Sequence, residues 1–115
     1  MTDRGMRLEV AFTEDDSRGD IRVIGEFDRL QVARFDRVSA GVTAQLTMFV
    51  VDLRTTTIID SAALGSLVRL KRALDAVGCE LVVIVARPFQ ETVMRVGGLF
   101  DHLGVRVEGP GSTTV

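Results

Sequence analysis

The sequence predicts an α/β domain: a small sheet with a parallel centre, covered by helices. Three observations carry this. Two nearly unbroken apolar runs, at residues 46–53 and 81–86, suit central strands buried on both faces. Each is followed by residues with helical periodicity. A pair of alternating segments stands in front of them, as in a strand hairpin. The length, 115 residues, fits one domain, with its core at about 6–108. The hydrophobic fraction of 46% and the charged fraction of 26% are those of an ordinary globular protein.

Residues 6–12 alternate apolar and polar side chains through most of their length, as a half-buried strand does. Residues 13–19 are polar and turn-like, and residues 20–26 read as the second strand of the hairpin. Gly25 marks a bulge or a close backbone approach. Asp28 is a candidate N-cap for a helix running to about residue 44. Leu30, Ala33, Phe35, Val38 and Val42 form its imperfect apolar face, and Arg29, Arg34, Asp36 and Arg37 face solvent.

The next strand, 46–53, ends in a polar loop containing Thr55, Thr56 and Thr57. The strongest helical pattern follows at 61–77, with Ala63, Leu67, Leu70, Leu74 and Val77 at helical spacing. Ser66, Arg69, Arg72 and Asp75 lie off that stripe. Gly78 stops the helix. After the strand at 81–86, Pro88 fits the first turn of a short helix at 89–96. Gly97 and Gly98 end it, residues 105–107 form a last short strand, and residues 109–115 read as a frayed tail. The order is β-β-α-β-α-β-α-β.

Composition narrows the function. The net charge is −2, the basic residues are scattered, and the only aromatics are six phenylalanines. This argues against direct nucleic-acid binding. No apolar run reaches the length of a membrane span, and the N-terminus lacks a signal-peptide core, so a cytoplasmic protein without membrane insertion is expected. Cys79, the one cysteine, has no disulfide partner and reads as a structural or partly exposed thiol. His102, the one histidine, reads as a surface or capping residue. No nucleophile elbow, phosphate loop or metal-ligand spacing is present, so no catalytic residue, metal or cofactor is expected.

The informative element is Asp60-Ser61, where the polar loop meets a helix N-terminus. Unpaired backbone amides there favour negative charge. Two readings stay open. Ser61 is a plain cap, contributing about 1 kcal/mol. Or Asp60 supplies the cap and leaves Ser61 exposed in the first turn, free to carry a phosphate of roughly −1.5 to −2 charge. The threonines read as loop polars.

The run Leu53-Arg54-Thr55-Thr56-Thr57-Ile58-Ile59-Asp60-Ser61-Ala62-Ala63-Leu64-Gly65 resembles the signature of the STAS domain of bacterial anti-sigma factor antagonists. Gly25-Glu26-Phe27-Asp28 resembles the family's Gly-Glu-Leu-Asp turn. Gly78-Cys79-Glu80-Leu81-Val82-Val83 is similar to the start of its later strand, and the segment from Pro88 to Phe100 to its closing helix. The likeness spans about 8–107. It implies a STAS-type fold, a mixed sheet of four or five strands with helices mainly on one face. It implies a non-enzymatic module that binds an anti-sigma factor with serine kinase activity. That partner phosphorylates the serine after the aspartate, here Ser61, and a serine phosphatase resets the switch. Asp28, Asp60, Ser61, Ala62 and Leu64 would form the contact surface of a monomer or weak dimer. Ala62 and Ala63 stand where the family often carries Ser or Thr, then Gly. STAS domains also serve as accessory subunits of lipid-trafficking ATP-binding cassette transporters, and a scaffold without the switch is a further alternative.

Overall fold

The two apolar runs lie side by side at the centre of one sheet. A computed structural model describes residues 5–42 and 46–109. The elements are β1 (Met6–Phe12), β2 (Arg18–Phe27), α1 (Val32–Val42), β3 (Met48–Asp52), β4 (Thr56–Ile59), α2 (Ser61–Ala76), β5 (Glu80–Val85), α3 (Pro88–Val96) and β6 (Val105–Val107). The expected end of the first helix near residue 44 and the tail beyond Gly109 lie outside the described residues.

The strand order is β1-β2-β3-β5-β6, with β4 paired to β2. β1 and β2 form the antiparallel hairpin; β2–β3, β3–β5 and β5–β6 are parallel. β3 pairs with Arg18 to Arg22 of β2, and β4 then pairs with Gly25 to Phe27 on the same strand. The two therefore follow one another along one flank of β2. Six strands replace the four or five expected. The added one, β4, lies in the expected polar loop, where its threonine hydroxyls mask a strand. Its four residues are all β-branched, which suits a pleated backbone.

Successive strand residues point to opposite faces, and the core divides accordingly. Phe49, Val51, Leu81, Val83 and Val85 join Phe35, Leu67, Leu74 and Met94 from the three helices in one cluster. Val50, Val82 and Ile84 form a smaller cluster to which no helix contributes. The helices thus cover one face, as expected. Phe27 and Phe35 pack ring on ring, centroids 4.7 Å apart.

Three local expectations fail for tertiary reasons. The first helix starts at Val32 and not at Asp28. Asp28 opens a separate turn in which its carbonyl accepts from the amides of Gln31 (2.9 Å) and Val32 (3.1 Å). Leu30, placed on the apolar face, is 77% exposed on that turn, and Ala33 is exposed as well. Asp36, expected to face solvent, and Ser66, placed off the apolar stripe, meet between α1 and α2: the Ser66 hydroxyl donates to Asp36 Oδ1 at 2.8 Å, and Arg69 donates to Asp36 Oδ2 at 3.0 Å. Val77, read as the end of the stripe, is 65% exposed because it follows the last turn.

Gly25 has φ +100°, and a Cβ there would collide with the Gly5 carbonyl oxygen; the β2–β4 register shifts beside it, as the bulge reading requires. Cys79 is buried, and burial pushes its thiol pKa up. Among the described residues no helix is long and apolar enough to cross a membrane.

On the helix-free face, Asp52 is nearly buried and takes a two-pronged grip from Arg54: Nε to Oδ1 at 3.1 Å and Nη2 to Oδ2 at 3.0 Å. Burial alone would raise the Asp52 pKa, but the Arg54 hydrogen bonds and charge, with Arg22 nearby, hold it below its ordinary value. A depressed carboxylate stabilises the fold above the unfolded pKa and loses that effect as pH falls through the folded pKa. Asp52→Asn should therefore lower the thermal midpoint at neutral pH. The difference from the parent should shrink to nothing as acid titrates the carboxylate, which melting curves across acidic pH would show.

Candidate functional site

β2 and β4 run parallel, so their C-terminal ends leave the sheet together, with Phe27 opposite Ile59. In open α/β sheets, ligands bind beyond the carboxyl ends of strands. The residues that follow are Asp28 on one strand and Asp60-Ser61 on the other. The Asp60 amide donates back to the Phe27 carbonyl at 3.4 Å.

Asp60 holds the corner together. Its backbone is extended (φ −100°, ψ −178°), as an N-cap requires. Oδ1 accepts from the Ala63 amide and Oδ2 from the Arg29 amide, each at 2.9 Å. One carboxylate therefore caps α2 and pins the Asp28 turn to it. Asp28 Oδ1 accepts from the Leu30 amide at 3.0 Å, which shapes that turn.

Asp60, not Ser61, thus supplies the cap. Ser61 is the first residue of α2 and is exposed, and its hydroxyl has no hydrogen-bond partner among the described residues. Its amide and that of Ala62 belong to the first-turn donors that a helix cannot satisfy internally. Ala62 and Leu64 are half-buried beside it, and Ala63 is fully buried in the core. All five residues singled out from the sequence lie on or against one corner.

The threonine hydroxyls are engaged. Thr55 and Thr56 donate to the Val23 carbonyl at 3.2 and 2.8 Å, and Thr57 donates to the Gly25 carbonyl at 3.1 Å. They fasten the chain to β2, which leaves Ser61 as the hydroxyl free at this corner.

Two features escaped the sequence reading. Leu30, Ile58 (42% exposed) and Val96 (83% exposed) give the region apolar side chains in the open. α3 ends against the first turn of α2, since a Cβ on Gly97 would lie 3.6 Å from Leu64 Cδ1. The second is Gln90, fully buried. Its amide nitrogen donates to the carbonyls of Leu53 (2.6 Å) and Thr56 (2.8 Å), and its oxygen accepts from the amides of Ala86 (2.9 Å) and Arg87 (3.1 Å). It clamps the segment between β3 and β4 to the start of α3. A glutamine three residues into a helix is a capping-box signal, and that spacing from Arg87 was legible. His102 is exposed between α3 and β6.

The family model described as Mlab, STAS domain, matches residues 10–105. No curated protein matches. Among solved structures, the chain is similar to an anti-sigma factor antagonist from Mycobacterium paratuberculosis, with a TM-score of 0.80 and 17% identity over 95% of this chain and 89% of that one. It is similar to the anti-sigma factor antagonist SpoIIAA in its unphosphorylated form (TM-score 0.74, 20% identity, 92% of this chain and 90% of that one). The phosphorylated form of the Bacillus cell fate determinant SpoIIAA aligns with a TM-score of 0.68 at 19% identity, over 92% of this chain and 93% of that one. At such identities the likeness is one of fold.

Proposed function

The chain belongs to the STAS domain family, and from that premise we propose that it is an anti-sigma factor antagonist, a binding module and not an enzyme, switched by a phosphate on Ser61. The observation that carries this is the state of the Ser61 hydroxyl. It is exposed and unbonded among the described residues, and the aspartate before it already does the work of capping. A serine needed for the cap would be tied to the backbone.

The partner is an anti-sigma factor with serine kinase activity, docking over Asp28, Asp60, Ser61, Ala62 and Leu64. Exposed Leu30 beside this corner adds apolar surface suited to a protein partner. A phosphate on Ser61 adds roughly −1.5 to −2 charge. The helix tolerates it, because first-turn amides and the dipole favour an anion. A partner packed on that surface meets a new, hydrated charge and releases. A serine phosphatase restores the binding form. One protein of the same fold, SpoIIAA, exists in both phosphorylated and unphosphorylated forms, which supports the reading.

Titration calorimetry of the cognate anti-sigma factor with the parent and with Ser61→Asp tests it. The variant should bind about tenfold or more weakly, about 1.4 kcal/mol, with a nearly unchanged thermal midpoint. Equal affinities would overturn the switch. A second reading, an accessory subunit of a lipid-trafficking transporter, is favoured by one observation: the matching model is described as Mlab and not as an antagonist. It predicts co-purification with a membrane ATPase.

A further inference from the structure

The sheet has two edges of different character. β6 is three residues long, too short to template another strand. β1 has seven residues, and its outer side has no neighbouring strand among the described residues. Long edges are usually protected by lysine, proline, a bulge or a covering element, and β1 has no lysine or proline. β1 instead carries one charge of each sign, Arg7 and Glu9, on the helix-free face. They touch each other at 3.4 Å and are largely exposed, with Arg22 3.8 Å from Glu9. On the helix-covered face, Val10 and Phe12 of the same strand are 39% and 48% exposed.

We propose that β1 is a self-pairing edge, through which two copies of this chain join antiparallel about Leu8. The register follows from charge. In a two-fold antiparallel pair, residues meet symmetrically about a central one, and the hydrogen-bond ladder keeps inward and outward amides in step. Centring on Arg7 sets Arg7 against Arg7. Centring on Glu9 sets Glu9 against Glu9. Like charges directly opposite are destabilising. Centring on Val10 brings no charged pair together. Centring on Leu8 sets Arg7 of each copy against Glu9 of the other, twice.

The same register sets exposed Val10 against the partner's Met6. Met6 is buried at the wall of a cavity of about 520 Å³ lined by both apolar and charged side chains, among them Leu8, Val38 and Arg34, so the covering side chain has open space to occupy. The two six-stranded sheets become one. Because the paired β2 strands then run in opposite directions, the two Ser61 corners sit at opposite ends of the joined sheet. Neither is covered by the pairing, and the proposal stands apart from the reading of Ser61.

Sedimentation velocity of the full chain over a concentration series tests this. The parent should show a reversible monomer–dimer equilibrium. Glu9→Arg makes the edge all basic and Arg7→Glu makes it all acidic. Each alone should raise the dissociation constant about tenfold or more, while circular dichroism confirms the fold. An equimolar mixture of the two single variants should dimerise again, because an all-basic edge is complementary to an all-acidic one. The register is tested by the single variants, which turn both Arg7–Glu9 pairs of the Leu8 register into like charges. A parent that stays monomeric at high concentration overturns the proposal. So do single variants that dimerise as tightly as the parent, and a mixture that fails to regain association.

Discussion

Phe27→Ala is expected to destabilise the protein by about 3–5 kcal/mol, the usual cost of truncating a buried phenylalanine. Phe27 is fully buried and packs on Phe35, itself fully buried. The loss has two parts: transfer of the ring to water, and a cavity at the junction of β2, β4 and α1 that a rigid sheet end cannot collapse to fill. Domains of this class have about 5–15 kcal/mol in total, so the variant should unfold at much lower urea. The effect reaches the functional corner, because the Phe27 carbonyl accepts the Asp60 amide and Asp28 comes next. A loss under about 1 kcal/mol would mean that this ring does not anchor the corner.

Gln90→Leu is the second large effect. The substitution nearly keeps the volume but removes a side chain that serves four backbone groups. The Leu53 carbonyl keeps a bond from the Thr56 amide, at 3.0 Å. The Thr56 carbonyl and the amides of Ala86 and Arg87 lose the Gln90 partner. Orphaned buried groups cost about 1–3 kcal/mol each. Ala86 and Arg87 lie nearer solvent, so about 3 kcal/mol in all is expected. Urea unfolding would measure it, and faster amide exchange in the segment joining β3 to β4 should accompany it. A variant as stable as the parent would show that the clamp is dispensable.

Much of this was legible in the sequence where one face of one element decides the pattern. The alternation of residues 6–12 and the apolar runs report burial directly. Met6–Phe12, Val105–Val107 and the start of α2 at Ser61 fall where periodicity and capping put them. What stayed hidden depends on partners distant in the chain. β4 is a strand because Gly25, Glu26 and Phe27 lie alongside it, and four residues carry no period of their own. Asp36 and Ser66 look like surface polars until two helices pack and each satisfies the other. The turn before helix α1 is held by Asp60, whose carboxylate takes the Arg29 amide from 31 residues away. The helix start at Asp60-Ser61 was legible because its chemistry is local, although the sequence leaves open which of the two residues caps, and the Ala63 amide bonded to Asp60 decides it. The apolar side chains Leu30, Ile58 and Val96 were not, since only the packed fold leaves them uncovered.

The most direct measurement is intact mass after incubation with the cognate anti-sigma kinase and ATP. One phosphate should appear on the parent and none on Ser61→Ala, with Thr55, Thr56 and Thr57 unmodified in both. An unmodified parent beside a kinase active on its known substrate, or a phosphate that persists in Ser61→Ala, would contradict the assignment of Ser61 as the switch.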